Sequence, residues 1–128
     1  MFDAAKRNDS ALVNELLKQG AELEWRNPDW GYYNGKTALA IACFDGSYEA
    51  AEALCAHGAE LDARTDYSQS TPLMWAAGGG HTKICEMLLA LGADPSLKNK
   101  DGDTALDRAR AGNEPECAAL LQPVTPGA

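Results

Sequence analysis

The 128-residue sequence predicts an all-α repeat solenoid, built from units of two short helices joined by polar, turn-rich segments. Three regularities predict it. Thr-x-Leu recurs at Thr37-Ala38-Leu39, Thr71-Pro72-Leu73 and Thr104-Ala105-Leu106, spaced 34 and 33 residues apart. Gly-Ala recurs at Gly20, Gly58 and Gly92. Between these landmarks the apolar residues fall in pairs of short stretches with helical spacing.

The unit is clearest over residues 70–103. Thr71 is an N-cap, and Pro72 takes the first helical position, where a missing N–H costs nothing and φ is already helical. Leu73, Ala76 and Ala77 make one narrow apolar face whose small residues let a neighbouring backbone approach. Gly78-Gly79-Gly80 ends that helix. A second runs from about Thr82 to Leu91, with Ile84, Cys85, Leu88 and Leu89 on its stripe, Lys83 and Glu86 outside it, and Gly92 as its cap. Two such helices alone bury too little surface to offset their ordering entropy, so the unit needs copies beside it.

A period near 33 residues, with Thr71-Pro72-Leu73, Gly80-His81 and Gly92-Ala93-Asp94 in register, resembles the ankyrin repeat. The resemblance covers roughly residues 2–121, a single domain with repeats at about 2–34, 35–69, 70–101 and 102–121, and 122–128 reads as a disordered tail. It implies two antiparallel helices and a projecting hairpin loop, or finger, per repeat. Stacked together, the fingers and first helices form a concave face.

In chain order, the first repeat is shortened: Phe2-Asp3-Ala4-Ala5 matches only the end of a first helix. Asn8 stands where later repeats have Gly46 and Gly80, as the next-best residue for the left-handed conformation. Leu12, Val13, Leu16 and Leu17 repeat the second-helix stripe, and Asp3, Lys6, Arg7 and Glu15 suit an outer, solvated end. The first connection is the irregular one. Gly20 to Thr37 spans 17 residues, against 13 from Gly58 to Thr71 and 12 from Gly92 to Thr104, and the insertion carries Trp30-Gly31-Tyr32-Tyr33-Asn34. In the second repeat Ala40, and in the third Met74, replace the histidine usual in this family, while Asp107 can substitute for it in the fourth. Ala50, Ala51 and Ala53 thin the core of the second repeat. Pro115 falls in the first turn of the last helix, where proline is tolerated, and Arg108 and Arg110 give a polar C-terminal cap.

A net charge of −8 and a sequence pI of about 4.6 argue against nucleic acid or an anionic membrane as the main partner. No signal segment opens the chain and no apolar run approaches bilayer length, so a cytoplasmic, or else nuclear, protein is expected. Cys43, Cys55, Cys85 and Cys117 read as small buried hydrophobes. Cys85 and Cys117 occupy equivalent positions of adjacent repeats, about 8–10 Å apart, beyond the roughly 7 Å Cα limit for a bridge. No CxxC pair exists and His57 and His81 lie far apart in register, so no metal and no cofactor is expected. Asp101-Gly102-Asp103 is a repeat turn rather than a calcium loop. His81 is expected to bond nearby loop backbone. No nucleophile accompanies either histidine, which argues against an enzyme.

Of nine aromatic residues, seven fall on fingers or first-helix positions: Trp25, Trp30, Tyr32, Tyr33, Phe44, Tyr67 and Trp75. Trp25 and Trp75 are expected to pack locally, while the inserted Trp30, Tyr32 and Tyr33 are expected to bind. Arg26, Arg64 and Lys98 occupy one position in three successive fingers and are expected to align as a solvated basic row. The resemblance implies a non-catalytic, monomeric protein-interaction module that grips another protein through its concave face and first finger, as an adaptor or scaffold. The alternative it implies is a small stand-alone inhibitor or capping regulator. Its expected contacts are Trp30, Tyr32, Tyr33, Lys36, Phe44, Asp45, Arg64, Tyr67, Ser68, Trp75, Gly79 and Lys100.

Overall fold

A computed structural model describes residues 1–28, 31 and 33–122. The expected tail beyond residue 122 and the inserted Trp30 and Tyr32 lie outside the described residues. Among the described residues, eight helices form four pairs: α1 Phe2–Lys6 with α2 Ser10–Lys18, α3 Ala38–Asp45 with α4 Tyr48–Ala56, α5 Pro72–Gly78 with α6 Thr82–Leu91, and α7 Ala105–Ala111 with α8 Pro115–Leu121. The odd-numbered helices line one side of the stack and pack on one another, as the even-numbered ones do on the other side. The fold is the all-α repeat solenoid that the spacing predicts.

The inner helices start where threonine accepts a hydrogen bond from the third helical N–H: Ala40 N–H to Thr37 Oγ1 at 3.2 Å, Met74 to Thr71 at 3.3 Å and Asp107 to Thr104 at 3.2 Å. Asp107 does substitute for the usual histidine. Its carboxylate accepts from both the backbone N–H and the hydroxyl of Thr104, at 2.9 and 3.1 Å, which completes a capping box. Helix ends fall at residues able to take positive φ, including Asn8 at 58° and Gly46 and Gly80 at 75°. At Gly46 a second reason applies: a Cβ there would stand 2.5 Å from the His81 ring.

The core runs along the stack as one cluster in which Leu39, Leu54, Leu73, Ile84 and Leu88 are fully buried among Ala4, Ala5, Ala42, Ala50, Ala76, Ala105 and Ala109. Small residues on the inner helices permit close approach, and leucines fill the space between inner and outer layers. Cys43, Cys85 and Cys117 are buried in this cluster, whereas Cys55 is half-exposed, because the second residue of its stripe pair sits on the flank of α4. The Cys117 thiol lies within hydrogen-bonding reach of Cys85, and burial followed by that neighbour pushes the Cys85 thiol well up. Burial alone pushes Cys55 up to about 11.

Polar bonds join each repeat to the next. Asn8 Oδ1 accepts from Ala50 N–H at 2.9 Å and so caps α4 from the repeat before it. Glu24 accepts from Glu60 N–H at 3.0 Å, and Asp62 accepts from Asp94 N–H at 3.0 Å, the same bond one repeat further on. Fingers are linked through their backbones, Asp66 N–H to Gly35 O at 3.2 Å and Lys100 N–H to Ser68 O at 2.9 Å.

Replacing Leu73 or Leu88 with alanine is expected to cost about 2–5 kcal/mol in denaturant melts of a predominantly helical protein, since each fills space shared between repeats. A strand-dominated circular dichroism spectrum, or indifference to both changes, would contradict this packing. Alkylation should reach Cys55 first and the other three thiols only on unfolding, with no two-dalton mass deficit in the native protein. The Asp107 carboxyl is held below its usual 3.8 chiefly by the Thr104 backbone bond. A carboxyl depressed by folding stabilises above its unfolded pKa and loses that contribution as pH falls through the folded one. The Tm gap between the wild type and Asp107→Ala should therefore be present at neutral pH and narrow as pH falls below the usual 3.8.

Candidate protein-binding face

The first finger is a hairpin closed at its base by Asn27 N–H to Lys36 O at 2.9 Å and Gly35 N–H to Asn27 O at 2.7 Å. Arg26 fastens this finger to the second, pairing with Asp66 at 3.4 Å and donating to the carbonyl of Arg64. Arg26 is thus a strut rather than a solvated member of a basic row; Arg64 and Lys98 are exposed. Trp25 is 58% exposed, against the expectation that it packs. Its neighbour Arg26 takes the side that meets the second finger, and Trp25 borders an open groove with Leu23 and Gly58.

Behind the finger, aromatic rings from the first finger, α3 and α5 come together. Tyr33 meets Phe44 edge-on at 5.8 Å between centroids, and Phe44 meets Trp75 edge-on at 5.5 Å. Such pairs are worth about 0.5–1.5 kcal/mol each beyond their buried area. Tyr33 O–H donates to Asp45 Oδ1 at 2.9 Å, and Lys6 Nζ lies 5.0 Å from the Tyr33 ring centroid. Burial, then that carboxylate, raises the Tyr33 pKa. Lys36 is only 6% exposed, its ammonium 4.3 Å from the Trp75 centroid and 5.0 Å from that of Phe44. Burial pulls its pKa down and the charge of Asp45 acts the other way. A cation that flanks both rings is held by their quadrupoles.

The outcome is a rigid ladder, Tyr33, Phe44, Lys36 and Trp75, crossing from the finger to the third repeat. Trp75 Nε1 in the ladder and Asp45 Oδ2 beside it are buried without a hydrogen-bond partner among the described residues, an arrangement that costs about 1–3 kcal/mol per group. Beside it lies a groove of about 380 Å³, bordered by Phe44, Met74, Trp75, Gly78, Gly79, His81 and Arg108. Glycines at 78 and 79 leave backbone as part of its lining. His81 Nε2 lies 3.2 Å from Phe44 O in the last turn of α3, so this histidine joins two repeats through the end of a helix rather than through nearby loop backbone.

Of the residues expected at the site, Phe44, Trp75 and Gly79 border the groove, while Tyr33, Lys36 and Asp45 form its half-buried or buried support. Tyr67, at 65% exposure, and Arg64 and Lys100 are exposed on the second and third fingers. Ser68 is half-buried and donates to Ser70 Oγ at 2.9 Å. Met74, Gly78, His81 and Arg108 were missed. Their signal was positional: each follows its repeat's Thr by a small offset that reaches the inner surface. Among the described residues no group of three or more His, Cys, Asp or Glu side chains could hold a metal ion, and no helix is long and apolar enough to cross a membrane.

The family model described as ankyrin repeats (3 copies) matches residues 1–99 and 71–126. The chain is 31% identical over 121 residues to Dauer abnormal formation protein 25 of Caenorhabditis elegans, covering 94% of this chain and 30% of the worm protein. To Ankyrin repeat domain-containing protein 63 of Mus musculus it is 34% identical over 116 residues, 88% of this chain and 28% of the mouse protein. To diacylglycerol kinase zeta of Rattus norvegicus it is 32% identical over 124 residues, 95% of this chain and 13% of the rat protein. The chain thus spans less than a third of the length of these relatives. With capped helix pairs, finger hairpins and the family model all in the same register, this chain belongs to the ankyrin repeat family.

Proposed function

We propose that this domain is a non-catalytic adaptor module whose concave face holds one partner protein, with the enlarged first finger and the inner surface of the second and third repeats as the centre of contact. Ankyrin repeats are protein-interaction modules. The observation that carries the reading here is the open groove beside a pre-ordered aromatic ladder, flanked by exposed Tyr67. A ladder locked by edge-on ring contacts and a trapped cation loses little further entropy on binding, so its apolar surface contributes more to affinity. Groove-bordering aromatics are the residue class that carries binding energy at protein interfaces. The inserted Trp30 and Tyr32 belong to the same proposal on residue type. Relatives as differently named as a diacylglycerol kinase and an E3 ubiquitin-protein ligase share this stretch over only 13% and 4% of their length, which fits a portable module rather than one chemistry.

The test begins with affinity capture by the immobilised domain and mass spectrometry, then titration of the captured partner. Gly78→Gln should weaken binding by about 2 kcal/mol or more by filling the groove. It should not unfold the domain, because a Cβ at Gly78 meets nothing nearer than 3.8 Å. Trp30→Ala with Tyr67→Ala should lose a similar amount. Glu15→Ala with Glu116→Ala, exposed on the outer α2 and α8, should change binding by less than about 0.5 kcal/mol. Normal binding by both concave variants, with loss in the outer pair, would overturn the assignment.

A further inference from the structure

We propose a second docking site on the opposite, outer face: the groove between α4 and α6, occupied by a basic amphipathic helix of a partner protein. The groove measures about 690 Å³. Its apolar side is Met87, Ala90 and Leu91 of α6 facing the Tyr48 ring of α4, and Leu91 is 53% exposed. Met87 and Leu91 stand one helical turn apart, a spacing that matches apolar residues at i and i+4 of an approaching helix. The outer α4 buries Ala50, Ala51, Ala53 and Leu54 and presents Tyr48 and Glu49 to the groove.

Charge selects the occupant. Glu49 and Glu86 border the groove, and Glu52 accepts from Tyr48 O–H at 3.4 Å. Against these three carboxylates stands one ammonium, Lys83, and among the described residues none of the three glutamates has a cation within 4.0 Å. The charge of Glu52, foremost, and those of Glu49 and Glu86 all raise the Tyr48 pKa, so their fields converge on the groove. Lysines and arginines flanking an apolar stripe complement this rim, on a chain of net charge −8. An acidic helix, nucleic acid or an anionic bilayer would be repelled by it. A domain engaged on both faces joins two partners, which an adaptor requires; the outer site stands independently of the concave one.

The probe is a fluorescein-labelled helical peptide of about four turns, leucine on one face and lysine on the other, titrated into the whole chain by fluorescence anisotropy and by amide NMR shifts. One-site saturation is expected, with shifts grouped on Tyr48, Glu49 and residues 86–91. Met87→Ala with Leu91→Ala, and separately Glu49→Gln with Glu86→Gln, should each weaken binding at least about fivefold, the second loss shrinking at high salt. The peptide with glutamate in place of lysine should not bind, and Gly78→Gln on the concave face should leave affinity unchanged. Circular dichroism melts establish that the variants fold, and the glutamate pair keeps the test decisive if the apolar pair does not. Unsaturable shifts scattered over the acidic surface, wild-type affinity in both groove variants, or self-association of the free chain through this groove in sedimentation would each overturn the proposal.

Discussion

Close lateral contact between inner helices is the constraint on which the rest depends. Among the described residues no helix exceeds ten residues, and several have only seven, too short to persist alone in water. Each is held by its neighbours: Ala42, Ala76 and Ala109 leave the inner helices close enough for Leu39 and Leu73 to be enclosed from both sides. The reliance on small residues has a corollary, since a larger side chain at any of these alanines would separate two repeats and disturb both fingers attached to them.

Stacking also explains why polar groups that look redundant within one repeat find their role in the next. Asn8 caps a helix more than forty residues away, and the carboxylates four positions after Gly20 and Gly58 each accept an N–H of the following repeat. Such bonds are worth about 0.5–1.5 kcal/mol each. Their larger contribution is register: they fix the angle between successive units, and so the curvature of the concave face.

The binding face inherits its rigidity from this framework. Tyr33 is anchored to Asp45 at the end of α3, Phe44 and Trp75 meet from adjacent repeats, and Lys36 at the base of the finger sets its ammonium beside both rings. An enlarged loop would ordinarily be costly to order on binding. Here its base and one aromatic are already tied to the stack, which leaves the ordering cost smaller. The outer face follows another rule, with carboxylates and a few exposed apolar residues meeting across a looser helix pair.

Much of this architecture was legible in the residues. Thr71-Pro72 and Thr104 start helices because capping chemistry is local, Asn8 ends one because only a few residue types accept positive φ, and Pro115 opens α8 because its missing N–H costs nothing there. Repeat period and stripe spacing determined the solenoid and its family for the same reason: short-range geometry recurs at fixed intervals. Tertiary structure alone decided which side chains face one another across repeats. Lys36 reads as an exposed finger lysine until Phe44 and Trp75, eight and thirty-nine residues on, converge around it. Trp25 reads as core until Arg26 takes the side facing the second finger. Met74 and Arg108 share a groove only because the inner helices of successive repeats stand side by side. Contacts between residues one repeat apart depend on stacking angle and rotamer, and neither is written in the pattern of any single unit.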